Sequence, residues 1–138
     1  MPVKVFVSLV LAVIIPVISF SQLSSYVNMQ NQVMVWDKGL IRKIDYLPPL
    51  EMKTGRTAIP YIDNARSFKI YYGGGMRVMN AGFTNEFKVS DNLVAFKNNT
   101  ALSVFDKGKT KQLSTFCEQY YLGDSLVLFF DGIRSEYK

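Results

Sequence analysis

The sequence predicts an all-β protein built from antiparallel repeat units of about 35 residues. Two observations support this prediction. One segment occurs three times, as TGRTAIPYIDN, VSDNLVAFKNN and LGDSLVLFFDG, beginning at residues 54, 89 and 122. A second segment recurs in step with it, as VWDKG, IYYGG and VFDKG, beginning at residues 35, 70 and 104. A period of this size indicates an array of stacked units, and about three units fit into residues 22–138.

The first strand of each unit is predicted from an apolar run that follows a turn. Residues 93–97 lie between segments rich in Asp and Asn, which bond to their own backbone and favour turns. Residues 126–130 match this run in the last unit. A continuous apolar run is typical of a strand that is buried on both faces, so we expect both strands to be covered on both sides.

The second and third strands are predicted on either side of a glycine turn. Residues 102–106 form the second strand, and the more polar residues 109–113 form an outer third strand. The glycine between them is expected to adopt a positive φ, as hairpin turns require. It recurs as Gly39, Gly74 and Gly108.

The chain then returns to the next unit, with room for a short fourth strand. Large side chains recur in this return segment two positions before each repeat motif, and packing between neighbouring units is the simplest reason for them. They are Met52, Phe87 and Tyr120.

Units of this size with three or four short strands fit the blades of a β-propeller, present here in part. The alternative is an open β-solenoid or meander. Helices are disfavoured because the chain after residue 21 lacks a sustained period of 3.6 residues. The polar segment at residues 23–32 is either a linker or the first strand.

Residues 1–21 have the pattern of an export signal. Lys4 precedes an apolar stretch, and Ser19 and Ser21 are the small residues expected before a cleavage site. The alternative is an uncleaved membrane anchor. Cleavage would leave residues 22–138 as the β-repeat domain without a stable membrane span, in the periplasm, on the outer surface or outside the cell.

The repeat also predicts that the array is incomplete. Tyr137-Lys138 matches Phe68-Lys69 at the start of a strand, and propellers typically need about four to eight blades to close. We therefore expect an N-terminal piece of a longer protein. Its unclosed edge strands are expected to allow self-association.

The composition excludes several chemistries. The chain contains no histidine and one cysteine, which rules out Ser-His-Asp and Cys-His nucleophiles, histidine zinc sites and thiolate metal clusters. No metal and no cofactor are predicted. The net charge of +5 is scattered, so nucleic-acid binding is not expected. Cys117 lies among aromatic residues and is expected to be buried.

Two kinds of residue are candidates for ligand binding at the turns. Asp91 and Asp124 occupy equivalent places and could bind calcium or a sugar, although their recurrence favours turn capping. Lys107, Lys109 and Lys111 alternate along the chain and could bind phosphate or an acidic glycan. The competing interpretation of these lysines is a charged edge that prevents aggregation.

Aromatic residues offer one further candidate. Trp36, Tyr71 and Phe105 share one repeat position, which predicts packing between units. Tyr72 stands where the other units have Asp37 and Asp106, so we expect it to be an exposed stacking residue for a ligand.

The pattern (Gly/Ser)-Asp-(Asn/Ser)-Leu-Val, followed by an aromatic-rich strand and a Lys-Gly turn, resembles repeat segments of exported bacterial β-propeller-like proteins. The resemblance covers residues 33–138, and Arg56 and Pro60 depart from it. It implies a fold and export, but no catalytic residue.

These observations lead to a functional hypothesis of an exported, non-catalytic binding or scaffolding module, with an unknown protein or glycan as its partner. The alternative is the N-terminal part of a carbohydrate- or peptide-processing enzyme. A third possibility is a gene fragment without function.

Overall fold

A computed structural model describes residues 23–80, residue 84 and residues 86–132. The predicted signal segment and the Tyr137-Lys138 match lie outside the described residues. Within these residues the chain forms thirteen strands and no helix. The strands are β1 (Leu23–Val27), β2 (Val33–Asp37), β3 (Leu40–Asp45), β4 (Glu51–Met52), β5 (Ala58–Ile62), β6 (Phe68–Tyr72), β7 (Gly75–Asn80), β8 (Glu86–Val89), β9 (Leu93–Asn98), β10 (Ala101–Asp106), β11 (Lys109–Ser114), β12 (Cys117–Leu122) and β13 (Val127–Asp131).

The described strands form four antiparallel sheets in chain order. Sheet A contains β1-β2-β3, sheet B contains β4-β5-β6-β7, sheet C contains β8-β9-β10-β11, and sheet D contains β12-β13. Neighbouring strands in each sheet are also neighbours in sequence, so every sheet is a simple meander. The sheets are stacked in order but do not close into a ring, and the predicted all-β repeat fold is confirmed.

The predicted strands agree with the observed ones to within one residue. The runs at 93–97, 102–106 and 109–113 correspond to β9, β10 and β11, and the polar β11 lies at the edge of its sheet. The polar segment after residue 22 begins with β1 rather than being only a linker. The fourth strand exists too, and it pairs with the strand that follows it, so it opens the next sheet.

The hairpin turns have the predicted backbone conformation. Gly39, Gly74 and Gly108 have φ angles of 81°, 82° and 83°. The residue before each glycine also has a positive φ, and two of these residues are Lys38 and Lys107. Positive φ at both central residues is the mark of the tight turn that matches the twist of two antiparallel strands.

Three hydrophobic clusters hold the four sheets together, one at each junction. Val35 packs with Ile59 and Tyr71 between sheets A and B. The B/C cluster contains Phe68, Phe87, Val94, Phe96 and Phe105 among others, and the C/D cluster contains Ala95, Leu102, Cys117 and Tyr120. The return residues Met52, Phe87 and Tyr120 each pack in a different junction, as predicted.

Alternation along the central strands explains how a sheet serves two junctions. In β9, Val94 and Phe96 pack towards sheet B, whereas Ala95 packs towards sheet D. Successive side chains of a strand point to opposite faces. A strand covered on both faces must therefore be apolar at nearly every position, which explains the unbroken run in β9.

Two expectations about burial were wrong for the end sheets. Residues 126–130 were expected to be buried on both faces, but Leu126, Leu128 and Phe130 are exposed. Trp36 was expected to pack between units like Tyr71, but it is also exposed. The reason is the same at both ends: within the described part of the chain, no sheet packs against the outer face of sheet A or sheet D.

The predicted burial of Cys117 is confirmed, since its side chain lies in the C/D cluster. Among the described residues, no helix is long and apolar enough to cross a membrane.

Candidate functional site

One end of the sheet array carries the hairpin turns that contain Gly39, Gly74 and Gly108. Leu93 pairs with Asp106, so the turn before β9 and the hairpin after β10 lie at the same end of sheet C. The pairing of Ala58 with Tyr72 gives sheet B the same arrangement. We call this end the hairpin rim. It comprises residues 38–39, 55–57, 73–74, 90–92, 107–108 and 123–126.

The structure places three of the six candidate residues within this rim and two more, Tyr72 and Lys109, at its border. Asp91 and Asp124 lie in the turns before β9 and β13, Lys107 lies in the hairpin after β10, and Tyr72 ends β6. Lys109 and Lys111 lie on β11, which runs away from the rim. All of these side chains are exposed except that of Tyr72, which is half-buried.

The turns before β5, β9 and β13 are closed by the same backbone hydrogen bond, and two of them carry Asp91 and Asp124. The amide N–H of Gly55, Ser90 or Gly123 donates to the carbonyl oxygen three residues later, and the N···O distance is 2.9 Å in each case. In sheet C the Ser90 hydroxyl also accepts a hydrogen bond from the Leu93 amide at 3.1 Å. The side-chain oxygen that closes this turn therefore belongs to Ser90, and the Asp91 carboxylate faces solvent.

The same turns connect neighbouring sheets through the backbone of the aspartates. The Thr57 hydroxyl donates to the carbonyl oxygen of Asp91 at 3.2 Å. One repeat later, the Ser90 hydroxyl donates to the carbonyl oxygen of Asp124 at 3.4 Å. Each aspartate backbone thus receives a contact from the preceding sheet, which fixes the turn and leaves the carboxylate at the surface of the rim.

The three lysines do not form a single row. Lys107 lies in the hairpin turn with a φ of 46°, whereas Lys109 and Lys111 pair with Asp106 and Val104 across the ladder. Because Lys109 and Lys111 are two residues apart, they share a face of β11. Lys111 lines a cleft at the junction with sheet D.

This C/D cleft has a volume of about 460 Å³. Val104, Leu126 and Phe129 provide apolar walls, and Asp106 and Lys111 are charged groups of opposite sign in its lining. Gln112 and Ser125 add hydrogen-bonding groups. Apolar walls with a few converging polar groups are the usual composition of a small-molecule site.

A smaller cleft of about 240 Å³ lies at the equivalent place between sheets A and B. Leu23, Asp37 and Thr57 line it, and their repeat counterparts Leu93, Asp106 and Ser125 line the C/D cleft. The two clefts are therefore copies of one repeat feature, since three matched positions contribute to both.

Aromatic packing fills the same place at the B/C junction. The ring of Tyr72 lies edge-on to Phe105 with 5.3 Å between centroids. The Arg77 guanidinium lies 5.8 Å from both ring centroids and donates to the carbonyl oxygen of Gly108. Tyr72 was expected to be exposed, and the structure shows that these contacts cover part of its ring.

At the A/B junction, a buried tyrosine hydroxyl donates a hydrogen bond to an aspartate carboxylate. The Tyr71 hydroxyl donates to Asp37 Oδ2 at 2.9 Å. Burial raises the pKa of Tyr71, and the hydrogen bond to Asp37 raises it further. Tyr71 therefore stays a neutral donor over the physiological pH range and anchors the carboxylate that lines the cleft.

Three of these contacts were not predicted from the sequence, although the repeat spacing indicates them. Tyr71 and Asp37, Thr57 and Asp91, and Ser90 and Asp124 are each 34 residues apart. This separation is close to the repeat period, so contacts between equivalent edges of adjacent units recur at it. The described residues contain no group of three or more Asp, Glu, Cys or His side chains suited to hold a metal ion.

No curated protein and no solved structure matches the chain. A family model described as a 10-bladed beta propeller domain matches residues 18–138, which is most of the chain. This match agrees with the stacked meander sheets and favours propeller blades over an open solenoid. The chain belongs to the 10-bladed beta propeller domain family.

Proposed function

We propose that this chain is part of an exported β-propeller that binds a ligand at the hairpin rim and catalyses no reaction of its own. The observation that carries the proposal is the C/D cleft, which opens beside the rim and combines apolar walls with Asp106 and Lys111. Export is inferred from the signal pattern of residues 1–21.

We infer that the ligand is a glycan whose acidic group pairs with Lys111 and whose hydroxyls donate hydrogen bonds to Asp106. The ammonium group of Lys111 can pair with a carboxylate or sulfate, with Lys109 on the same face of β11. Gln112 and Ser125 can exchange hydrogen bonds with sugar hydroxyls. The apolar wall at Leu126 and Phe129 suits the carbon face of a sugar ring.

The rim is suited to binding because its turns are fixed before a ligand arrives. Hydrogen bonds from Thr57 and Ser90 hold the turns of neighbouring sheets against each other. A site that is already ordered loses less conformational entropy on binding than a flexible loop does. The clefts between such turns therefore offer stable positions for polar contacts.

A glycan array of neutral and acidic oligosaccharides tests this function on the 138-residue chain, with a hydrolase panel run on the same sample. We expect retention of acidic glycans without turnover. The Lys111→Gln variant should lose most of this retention, whereas Lys43→Gln should retain it. Lys43 is the matched control because it is an exposed lysine on sheet A, and its substitution changes the net charge equally.

Three results would count against the proposal. Turnover of any glycan or peptide would support the enzyme hypothesis instead. Equal losses in the Lys111 and Lys43 variants would show that binding depends on net charge rather than on the cleft. Retention of no glycan at all would contradict a glycan ligand.

A further inference from the structure

The residue that ends β2, β6 and β10 differs between the filled B/C junction and the two junctions that contain a cleft. Asp37 lines the A/B cleft, and Asp106 lines the C/D cleft. Tyr72 holds the same repeat position at the B/C junction, where its ring packs edge-on against Phe105. An aspartate therefore accompanies each cleft, and a tyrosine accompanies the filled junction.

A basic side chain beside this position is common to all three junctions. It is Arg42 in sheet A, Arg77 in sheet B and Lys111 in sheet C, each paired with the first residue of the repeated five-residue segment. Lys111 lines the C/D cleft, and Arg77 contacts both rings of the B/C junction. The basic residue therefore does not explain why one junction is filled.

The hairpin of the following sheet lies in a different environment at the two inner junctions. A Cβ atom built on Gly108 would lie 3.3 Å from the Tyr72 ring and 3.3 Å from the Arg77 guanidinium. A Cβ atom built on the equivalent Gly74 would meet no atom of the described residues within 4 Å. The Tyr72 ring thus reaches the hairpin of sheet C, whereas the described residues leave this space open at the A/B junction.

The residue that faces this position from the following sheet changes together with it. The Tyr71 hydroxyl donates to the Asp37 carboxylate at 2.9 Å. Its repeat counterpart Phe105 has no hydroxyl and packs on the Tyr72 ring instead, with 5.3 Å between centroids. Each inner junction therefore has a matched pair, a carboxylate with a phenol at the open one and a ring with a ring at the filled one.

We propose that the residue at the position of Asp37, Tyr72 and Asp106 determines whether a junction admits a ligand, and that the Tyr72 ring occupies the B/C cleft in place of one. The chain then binds ligand at the A/B and C/D junctions but not between them. The identity of the ligand rests on the function proposed above, whereas the closure of the B/C junction by Tyr72 does not.

An exchange of the matched pairs between the two inner junctions tests this proposal. Tyr72→Asp combined with Phe105→Tyr gives the B/C junction the pair of the A/B junction, beside an arginine that both already have. Asp37→Tyr combined with Tyr71→Phe makes the reverse exchange. Tyr72→Phe is the matched control because it keeps the ring. Dispersed proton NMR spectra establish that each variant is folded, and either exchange alone tests the rule if the other does not fold.

Relaxation of glycine α-protons by a soluble gadolinium chelate reports whether each junction is open, without any ligand. In the wild type we expect faster relaxation at Gly74 than at Gly108. The first exchange should raise relaxation at Gly108, and the reverse exchange should lower it at Gly74. The first exchange should leave Gly74 unchanged, which checks that the A/B cleft, also lined by Tyr72, is retained. Tyr72→Phe should change neither glycine.

Calorimetric titration with a tetrasaccharide of glucuronic acid and N-acetylglucosamine reports binding. The first exchange should add one bound tetrasaccharide per chain, and the reverse exchange should remove one. If no sample binds it but relaxation changes as expected, the glycan ligand is wrong and the closure by Tyr72 is supported.

Two outcomes overturn the proposal. Unchanged relaxation at Gly108 in the folded first exchange would show that Tyr72 does not close the junction. An opened B/C junction that binds no additional tetrasaccharide, in a chain whose wild type binds it, would show that this position does not select the binding junctions.

Discussion

Lys88 in sheet C reaches across a junction to Tyr120 in sheet D. Its Nζ atom donates to the carbonyl oxygen of Tyr120 at 3.0 Å and lies 4.3 Å from the ring centroid. One repeat earlier, Lys53 makes the same pair of contacts with Phe87, at 2.7 Å and 4.5 Å. The same lysine contact therefore ties sheet B to sheet C and sheet C to sheet D.

Replacement of Lys88 by methionine should lower the free energy of unfolding by about 1 kcal/mol, because a hydrogen bond and a cation–π contact are lost while the apolar stem is kept. Urea denaturation of both proteins measures the difference. Lys109→Met is the control, since this exposed lysine lies on the edge strand β11, and it should change stability by less than about 0.5 kcal/mol. Equal effects of the two substitutions would contradict a specific contact.

Gly55 allows the close approach of sheets B and C. A Cβ atom at this position would lie 2.6 Å from the carbonyl oxygen of Ser90 and 2.6 Å from Val89 Cγ2. Gly55→Ala should therefore destabilise the protein by about 1–3 kcal/mol, as overpacking does. The matched control is Gly75→Ala, whose Cβ would have its nearest neighbour at 3.9 Å.

Thermal unfolding of the two alanine variants separates the effect of crowding from that of glycine replacement. Gly75→Ala should have nearly the melting temperature of the wild type. A Gly55→Ala variant as stable as Gly75→Ala would mean that sheets B and C do not approach each other as described.

Asp63 should make stability depend on pH in the acid range. Its carboxylate lies 2.8 Å from Lys69 Nζ, which also lies 3.2 Å from Asp45 of sheet A. Burial alone would raise the pKa of Asp63, but hydrogen bonds from Lys69 and Ser67 outweigh it and hold the pKa below its usual value. A lowered folded-state pKa adds stability above the unfolded-state pKa of about 3.9, and this stability is lost as the pH falls through the folded-state value.

The Asp63→Asn variant tests this dependence against the wild type in urea titrations from pH 7 to pH 2. We expect the wild type to be more stable by about 1 kcal/mol at pH 7. The difference should shrink once the pH falls below about 4. A constant difference across the whole range would show that the charge of Asp63 does not stabilise the fold.

Cys117 should react slowly with thiol reagents in the folded protein. Burial raises the pKa of this thiol, and the Asp131 and Glu86 carboxylates raise it further against the opposing charge of Lys97. The reactive thiolate is therefore scarce and covered. Labelling with an aromatic disulfide reagent should be more than about tenfold slower in buffer than in denaturing urea. Equal rates would mean that the C/D junction is open.

The repeat period predicted the strands well because a turn signal recurs in every unit. Gly39, Gly74 and Gly108 mark the equivalent hairpin in three sheets, so a weak turn signal in one unit can be assigned from the other two. A period does not define where one sheet ends and the next begins. The return strand was therefore placed correctly, but only its pairing with β9 or β13 shows which sheet it joins.

Burial at the ends of the array could not be predicted from local pattern. The run at 126–130 is as apolar as β9, yet burial of its second face requires another sheet. The surroundings of Tyr72 could not be predicted from local pattern either. Arg77 belongs to the next strand, and Phe105 belongs to the next sheet. Whether a junction contains an open cleft depends on side chains such as Tyr72 and Arg77, which fill this place at the B/C junction.

Successive sheets stack face to face, with aromatic ring pairs across the B/C junction, and proton NMR tests this stacking most directly. Ring centroids lie 5.2 Å apart for Phe68 and Phe87 and 5.3 Å apart for Tyr72 and Phe105, both across the B/C junction. Nuclear Overhauser spectra of the protein should show cross-peaks between the ring protons of both pairs. A well-dispersed spectrum with cross-peaks inside each sheet but neither of these would contradict the stacked array.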